Sequence, residues 1–262
     1  MKNTKNKKKD NLSFVPKKSE WISEVLRLTA FMSSAPNKPE KWWESVVSTQ
    51  PFQSTTRPFY SDVGTFKNGL LQLTIQSERI DWIYTPDPNK SYDLGISNIG
   101  SFNIALKDFI SIMQKWFSLA PEIKRLAFGA NLLHIENDQV EGYKYFDKYL
   151  SKSIKLDAEE SSDFMYQINR PRFSNLSDFK ELKINRVSRW LLLILNKIEF
   201  SISSQGASLT PDEKSLLTTS RLEIDINTDP KFNGVFPHDK IKLIFNELVQ
   251  LGVEITEQGD IK

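Results

Sequence analysis

The chain has 262 residues, 39% hydrophobic and 26% charged, which suits one large domain or two small ones around a substantial core. It has no cysteine, so disulfides, thiolate zinc sites, iron–sulfur clusters and a cysteine nucleophile are excluded. The net charge of +2 is uneven: residues 1–18 carry seven Lys and one Asp, and the rest has 28 basic against 32 acidic side chains, so the body is not a basic nucleic-acid-binding domain by bulk charge.

Glycine is scarce, with 10 residues, which argues against Gly-rich phosphate-cradling loops. No apolar run approaches the roughly 18 residues that span a bilayer. The basic start is not followed by an apolar segment of the secretory kind, so a cytoplasmic location is expected. Residues 1–19 are expected to form a disordered basic tail. Such a tail can steer toward nucleic acid or anionic lipid, and a solvated end is the plainer reading.

In chain order, the alternation in Trp21–Phe31 predicts a first strand. Pro39 and Glu40 open a helix to about Val47. Its Trp42–Trp43 pair suggests one indole in the core and one at the edge. Residues 48–62, with Pro51 and Pro58, read as a loop. Leu70–Gln76 and Arg79–Tyr84 read as a β-hairpin.

Ser101–Leu119 is the clearest helix, with Ile104, Phe109, Ile112, Trp116 and Leu119 on its apolar face. Lys124–Ile135 reads as a buried strand, with Gly129 marking a bulge or a close backbone approach. Asp138–Leu150 is expected to be helical, with Val140, Tyr143, Phe146, Tyr149 and Leu150 turned inward. The polar stretch 152–162 is the candidate linker between an N-terminal half, 20–151, and a C-terminal half, 163–262.

In the second half, Phe164–Asn169 is a strand broken by Pro171. The apolar Val187–Ile202 fits strand or helix, and its β-branched and aromatic ends favour strand. Ser203–Ser220 reads as a loop, or a short helix from Pro211. Arg221–Asn227 alternates strictly, as a half-buried antiparallel strand does. Pro237–Leu251 is an amphipathic helix, and Val253–Ile255 a candidate edge strand. The fold class is therefore α+β: antiparallel sheet packed by about four helices, in two halves of similar rhythm.

No catalytic motif stands out. His134 and His238 lack metal-binding spacing, and there is no GxSxG, Walker A or GxGxxG sequence. Neither a metal nor a cofactor is expected. Glu223, Asp225 and Asp229 could gather on a metal as in a nuclease, although alternation on a surface strand explains the first two equally well. Glu181-Leu182-Lys183, behind Asp163 or Asp178, fits an acid followed by E-x-K, but so does Glu122-Ile123-Lys124.

The most distinctive stretch holds a doubled tripeptide, Ile168-Asn169-Arg170 and Ile184-Asn185-Arg186. With Arg172, Arg189 and Trp190 it makes a candidate binding surface. Guanidinium forks suit phosphate or carboxylate, and an aromatic beside them can stack a base. The alternative is that these arginines pair with Asp163, Asp178 and Glu181 and fix strand register.

At Glu24–Phe31 (EVLRLTAF), Arg79–Trp82 (RIDW), Arg125–Gly129 (RLAFG) and Tyr166–Arg172 (YQINRPR) the chain resembles a group of uncharacterised bacterial proteins of similar length. The likeness covers most of the chain after the tail. It implies a bacterial cytosolic origin and brings no activity, fold or site. The leading expectation is a non-catalytic interaction or accessory protein of a bacterial multi-component system, such as phage defence, with a protein partner as homo-oligomer or hetero-complex. A nucleic-acid-binding module using the arginines and the tail, and a metal-dependent nuclease, are the alternatives. No membrane insertion is expected.

Overall fold

A computed structural model describes residues 16, 19–33, 39–92, 95–203 and 206–260, with residues 40, 196–203 and 206–216 described in their backbone. The basic tail expected over 1–19 lies almost wholly outside the described residues. The elements are β1 (Ile22–Met32), α1 (Glu40–Val46), β2 (Gln53–Thr55), β3 (Tyr60–Phe66), β4 (Gly69–Gln76), β5 (Arg79–Pro86), α2 (Phe102–Trp116), β6 (Ile123–Glu136), α3 (Gln139–Phe146), β7 (Met165–Asn169), β8 (Arg172–Phe173), β9 (Lys183–Ser203), β10 (Gly206–Thr228) and α4 (Ile241–Gln258).

All strands join one antiparallel sheet in the order β2-β3-β4-β5-β1-β6-β10-β9-β7, with β8 also on β9. The class is α+β. The order repeats itself: a central strand, a helix, a meander that returns to pair with that strand, and a closing helix. β1 through β5 and α2 make one such unit, and β6 through β10 and α4 make the second. β1 and β6 pair with each other at the centre. The sheet runs unbroken through both units, and the 152–162 stretch falls between α3 and β7 of the second.

Strand parity decides what is buried. Across the sheet, Trp82, Leu28, Phe128, Ile226 and Arg186 occupy one row of register partners. Tyr84, Leu26, Ala130, Ile224 and Ser188 make the next. These rows face the helices. Trp43 of α1 stacks near Trp82, Trp42 meets Trp116 of α2 edge-on, Phe245 of α4 meets Phe128, and Phe146 of α3 meets Trp190. The other parity forms a face without helices. Its central row is Ile83, Arg27, Gly129, Asp225 and Val187.

Several expectations need correction. Both Trp42 and Trp43 are core residues, since Trp43 packs on Trp82 of β5 and Trp42 on Trp116 of α2. Residues 48–62 contain β2 and the start of β3, because polar Ser61 and Asp62 are bonded on an outer strand rather than looped out. Ile104 is 59% exposed: the inward face of α2 runs through Phe102, Leu106, Phe109, Met113 and Trp116. Val140 is likewise exposed on α3, whose start is capped by Asp138 accepting from the Glu141 N–H at 2.9 Å. At Gly129 the register is regular, and the close approach is made by the Arg27 guanidinium lying over it.

Of the expected loop or helix over Ser203–Ser220, Ser203 ends β9, residues 204–205 lie outside the described residues, and 206–220 are strand, the larger part of β10, paired with β9. A bulge between Asp212 and Leu216 takes up three extra residues. Pro211 is tolerated because β6 ends opposite Thr218, leaving β10 an edge strand beyond that point. Val253–Ile255 is not a strand. α4 continues to Gln258 because Leu248, Leu251, Gly252 and Ile255 extend its buried stripe, and burial overrides the β-branched preference. Gly259, with φ of +76°, ends it.

Candidate functional site

The two copies of Ile-Asn-Arg lie side by side. The Arg170 N–H donates to the Arg186 carbonyl at 3.1 Å. The Asn169 side chain accepts from the Arg186 N–H at 2.9 Å and donates to Asn185 at 3.1 Å. Asn185 donates to Asn227 at 3.1 Å, and Asn227 to Asp225 at 3.0 Å. The asparagines are thus a ladder that fixes β7, β9 and β10 in register.

The arginines divide. Arg186 and Trp190, an even number apart on β9, share the core face; Arg189 does not. Trp190 is fully buried and packs against Trp21, Phe146 and Tyr149. Its indole N–H donates to Ser188 at 3.2 Å. It has no face free to stack a base. Arg189 lies on the opposite face, paired with Glu223 at 3.1 Å and donating to Gln167 at 2.8 Å. Arg221 links Glu223, at 3.1 Å, to Glu24, at 2.9 Å. The result is a ladder of ion pairs from β1 to β9, extended to β7 by the Gln167 hydrogen bond, on the helix-free face.

Arg170, Arg172 and Arg186 turn toward α4. Arg170 is bidentate on Asp260, donating through Nη2 at 3.0 Å and through Nε. Arg172 donates to Glu254 at 2.9 Å. These are not the partners the sequence suggests, Asp163, Asp178 and Glu181. Asp178 instead meets Lys240 at 2.7 Å, and the acids of the closing helix and its end serve the arginines. A third bond set completes this clasp. Glu247, almost buried, accepts from the Ser174 hydroxyl and the Asn175 N–H, both at 2.5 Å. Glu247 and Glu254 stand seven residues apart, so one face of α4 presents both. That spacing is the one sequence signal that points to the clasp.

Burial alone pushes the Asp260 carboxyl up, but hydrogen bonds from Arg170 and Tyr166 outweigh it and leave the group below the usual carboxylate range. Tyr166 donates to the same carboxylate at 2.5 Å, and burial followed by that bond holds its hydroxyl above the ordinary tyrosine value. Arg186 is pulled below the ordinary arginine value by burial, then by Arg172.

The other candidates are dispersed. Glu223 is engaged by two arginines and Asp225 by Asn227, while Asp229 caps the turn to Lys231 at 2.8 Å. Among the described residues no group of three His, Asp or Glu side chains is placed to hold a metal ion. His134 is stacked on Tyr145, with ring centroids 3.9 Å apart, and bonded to Glu136 at 2.9 Å. His238 lines a groove of about 290 Å³ with Glu122 and Phe236. A second groove, of about 320 Å³, lies between α1, the end of β3 and α2, where Lys67 meets Asp108 at 3.4 Å.

The outer part of the β9–β10 hairpin runs on past its neighbours in the sheet. β7 leaves β9 opposite Leu191, and β6 leaves β10 opposite Thr218. Beyond these points the two strands continue, paired with each other, to Ser203 and Gly206. Among the described residues no strand pairs with either outer edge there. Ile194 and Leu195, at its root, are 51% and 41% exposed. No family model, curated protein or solved structure matches the chain. No helix among the described residues is long and apolar enough to cross a membrane.

Proposed function

We propose that this chain is a non-catalytic interaction subunit and that the projecting β9–β10 ribbon is its arm. The observation that carries the reading is the ribbon's two edges, with which no strand pairs among the described residues. An exposed strand edge is a template for another strand, and proteins that do not use one keep it short or guarded. The β10 edge carries such guards, in Pro211, Asp212, Glu213 and Lys214. The β9 edge has no proline and only Lys197 and Glu199 as charges over Leu192–Ser203. An antiparallel pairing of two β9 edges about Ile198 sets Lys197 of one copy against Glu199 of the other, twice, and Ile194 against Ile202. The partner we therefore favour is a second copy. The accessory role in a bacterial multi-component system such as phage defence belongs to this proposal as its setting.

A nucleic-acid partner has less support, since Arg170, Arg172 and Arg189 are ion-paired and Arg186 and Trp190 are buried. The test is to replace residues 196–216 by Asn-Gly, which closes the paired Leu195 and Leu217 with a two-residue turn. In sedimentation velocity the full chain should run as a dimer or larger and the trimmed chain as a monomer with a cooperative thermal transition. A full chain that stays monomeric at high concentration sinks the proposal.

A further inference from the structure

The register of the β9–β10 ribbon sorts its residues onto two unlike faces. Ile198, Phe200 and Ile202 stand at alternate positions of β9, opposite Pro211, Leu209 and Ala207 of β10. Cross-strand partners share a face, so one face takes all six apolar positions. The other takes Lys197, Glu199 and Ser201, opposite Asp212, Thr210 and Ser208. On β9 the apolar positions have the parity of the buried Trp190, so this face continues the core face of the body. α3 covers that face as far as Leu192, against which Gly142 packs too closely to admit a Cβ. The cover ends at Ile194, which is 51% exposed.

Two β9 edges paired about Ile198 match even-numbered positions with even-numbered ones, so both copies turn the apolar face to the same side. The product is a four-stranded sheet, β10-β9-β9-β10, apolar on one face and polar on the other. Its apolar strip runs from the Ile194 of one copy to that of the other, about 26 Å at ~3.3 Å per residue, and is about 19 Å wide at ~4.8 Å per strand. A two-fold axis passes through its centre. A single helix, about 10 Å across, covers half that width. A lipid surface is met by basic residues with Trp or Tyr at the rim. Residues 194–218 set Lys197 and Lys214 against Glu199, Asp212 and Glu213, and hold no Trp or Tyr. A second ribbon pair matches the strip in width, polarity and symmetry. Crossed at near right angles, it fits between the flanking α3 helices and keeps its own bodies clear of them. Resting on the edge pairing about Ile198, we infer that two such dimers stack through the apolar face into a tetramer of dihedral symmetry. Ile198, Phe200, Ile202 and Leu209 of four copies, at on the order of 80 Å² each, place the contact within the roughly 1,200–2,000 Å² of a stable interface.

Sedimentation velocity of the full chain over a wide concentration range reads this directly. The native chain should pass from dimer to tetramer as concentration rises. Phe200→Lys, on the apolar face, should stop at the dimer. Ser201→Lys, the next residue and on the polar face, should still reach the tetramer. Ile202→Lys takes the place of Phe200→Lys if that variant does not fold. A native chain that stays a dimer at high concentration overturns the stack and leaves the edge pairing standing; flotation of that dimer with phosphatidylglycerol vesicles would give the face to lipid instead. A native chain that stays monomeric overturns both. A tetramer that persists in Phe200→Lys and Ile202→Lys also overturns the stack.

Discussion

Replacing Glu247 with alanine removes the carboxylate that joins the 170–175 segment to α4. The side chain is 8% exposed and accepts two hydrogen bonds, from the Ser174 hydroxyl and the Asn175 N–H, each at 2.5 Å. Hydrogen bonds to a charged group contribute about 1.5–3 kcal/mol each, and more is lost when the surviving donor stays buried. Ser174 is 6% exposed, so its hydroxyl is stranded; the Asn175 N–H lies nearer the surface and can reach water. The expected loss is therefore about 2–4 kcal/mol. With a urea slope near ~3 kcal/mol/M for a chain of this size, the unfolding midpoint should fall by about 1 M. Glu247→Gln keeps one acceptor and the shape, and should lose roughly half as much. If the alanine variant stays within about 0.5 kcal/mol of the parent, the clasp is a surface decoration and the reasoning is wrong.

Other consequences follow from the same geometry. Trp190→Ala should cost about 3–5 kcal/mol in urea unfolding, as loss of a buried indole does; a stable variant with only a lost ligand affinity would restore Trp190 to a binding surface. Gly259→Ala puts a Cβ 2.0 Å from the Tyr149 carbonyl oxygen at a φ of +76°, and should cost at least ~2 kcal/mol while loosening Asp260 from Arg170. Because the Asp260 carboxyl is depressed in the folded chain, its contribution is complete above the ordinary aspartate value of about 3.9 and is lost as pH falls through the folded value. Unfolding free energy measured from pH 5 to 2 should decline less steeply in Asp260→Asn, and identical slopes would remove Asp260 from the account.

The parts of the fold that can be read in the sequence are those whose pattern is local. The alternation of Leu26–Phe31, the Leu70–Tyr84 hairpin, the α2 periodicity and the strict alternation of Arg221–Asn227 each depend on a few neighbouring residues. Val187–Ile202 is a strand, as its β-branched and aromatic ends indicate. What the sequence hides depends on distant partners. Arg186 and Arg189 are close in sequence, yet strand parity sends one into the core and the other to the open face. The acids that answer Arg170, Arg172 and Arg186 lie 68 to 90 residues away on or after α4, as the Arg186–Glu254 and Arg170–Asp260 pairs show. The β-branched end of α4 carries a strand preference that burial overrules, and the polar, proline-containing start of β10 carries a loop preference that pairing with β9 overrules.

The claim that matters most is that β9 edges of two copies pair about Ile198. Lys197→Glu and Glu199→Lys test it by sedimentation, alone and mixed. In that register each variant on its own sets like charges against each other across the two copies, so each should be monomeric at a concentration where the parent is a dimer. In an equimolar mixture a chain with two acids at these positions meets a chain with two bases, both contacts again oppose unlike charges, and the dimer should return. Variants that associate as well as the parent, with nothing gained on mixing, contradict the register and with it the pairing of β9 edges.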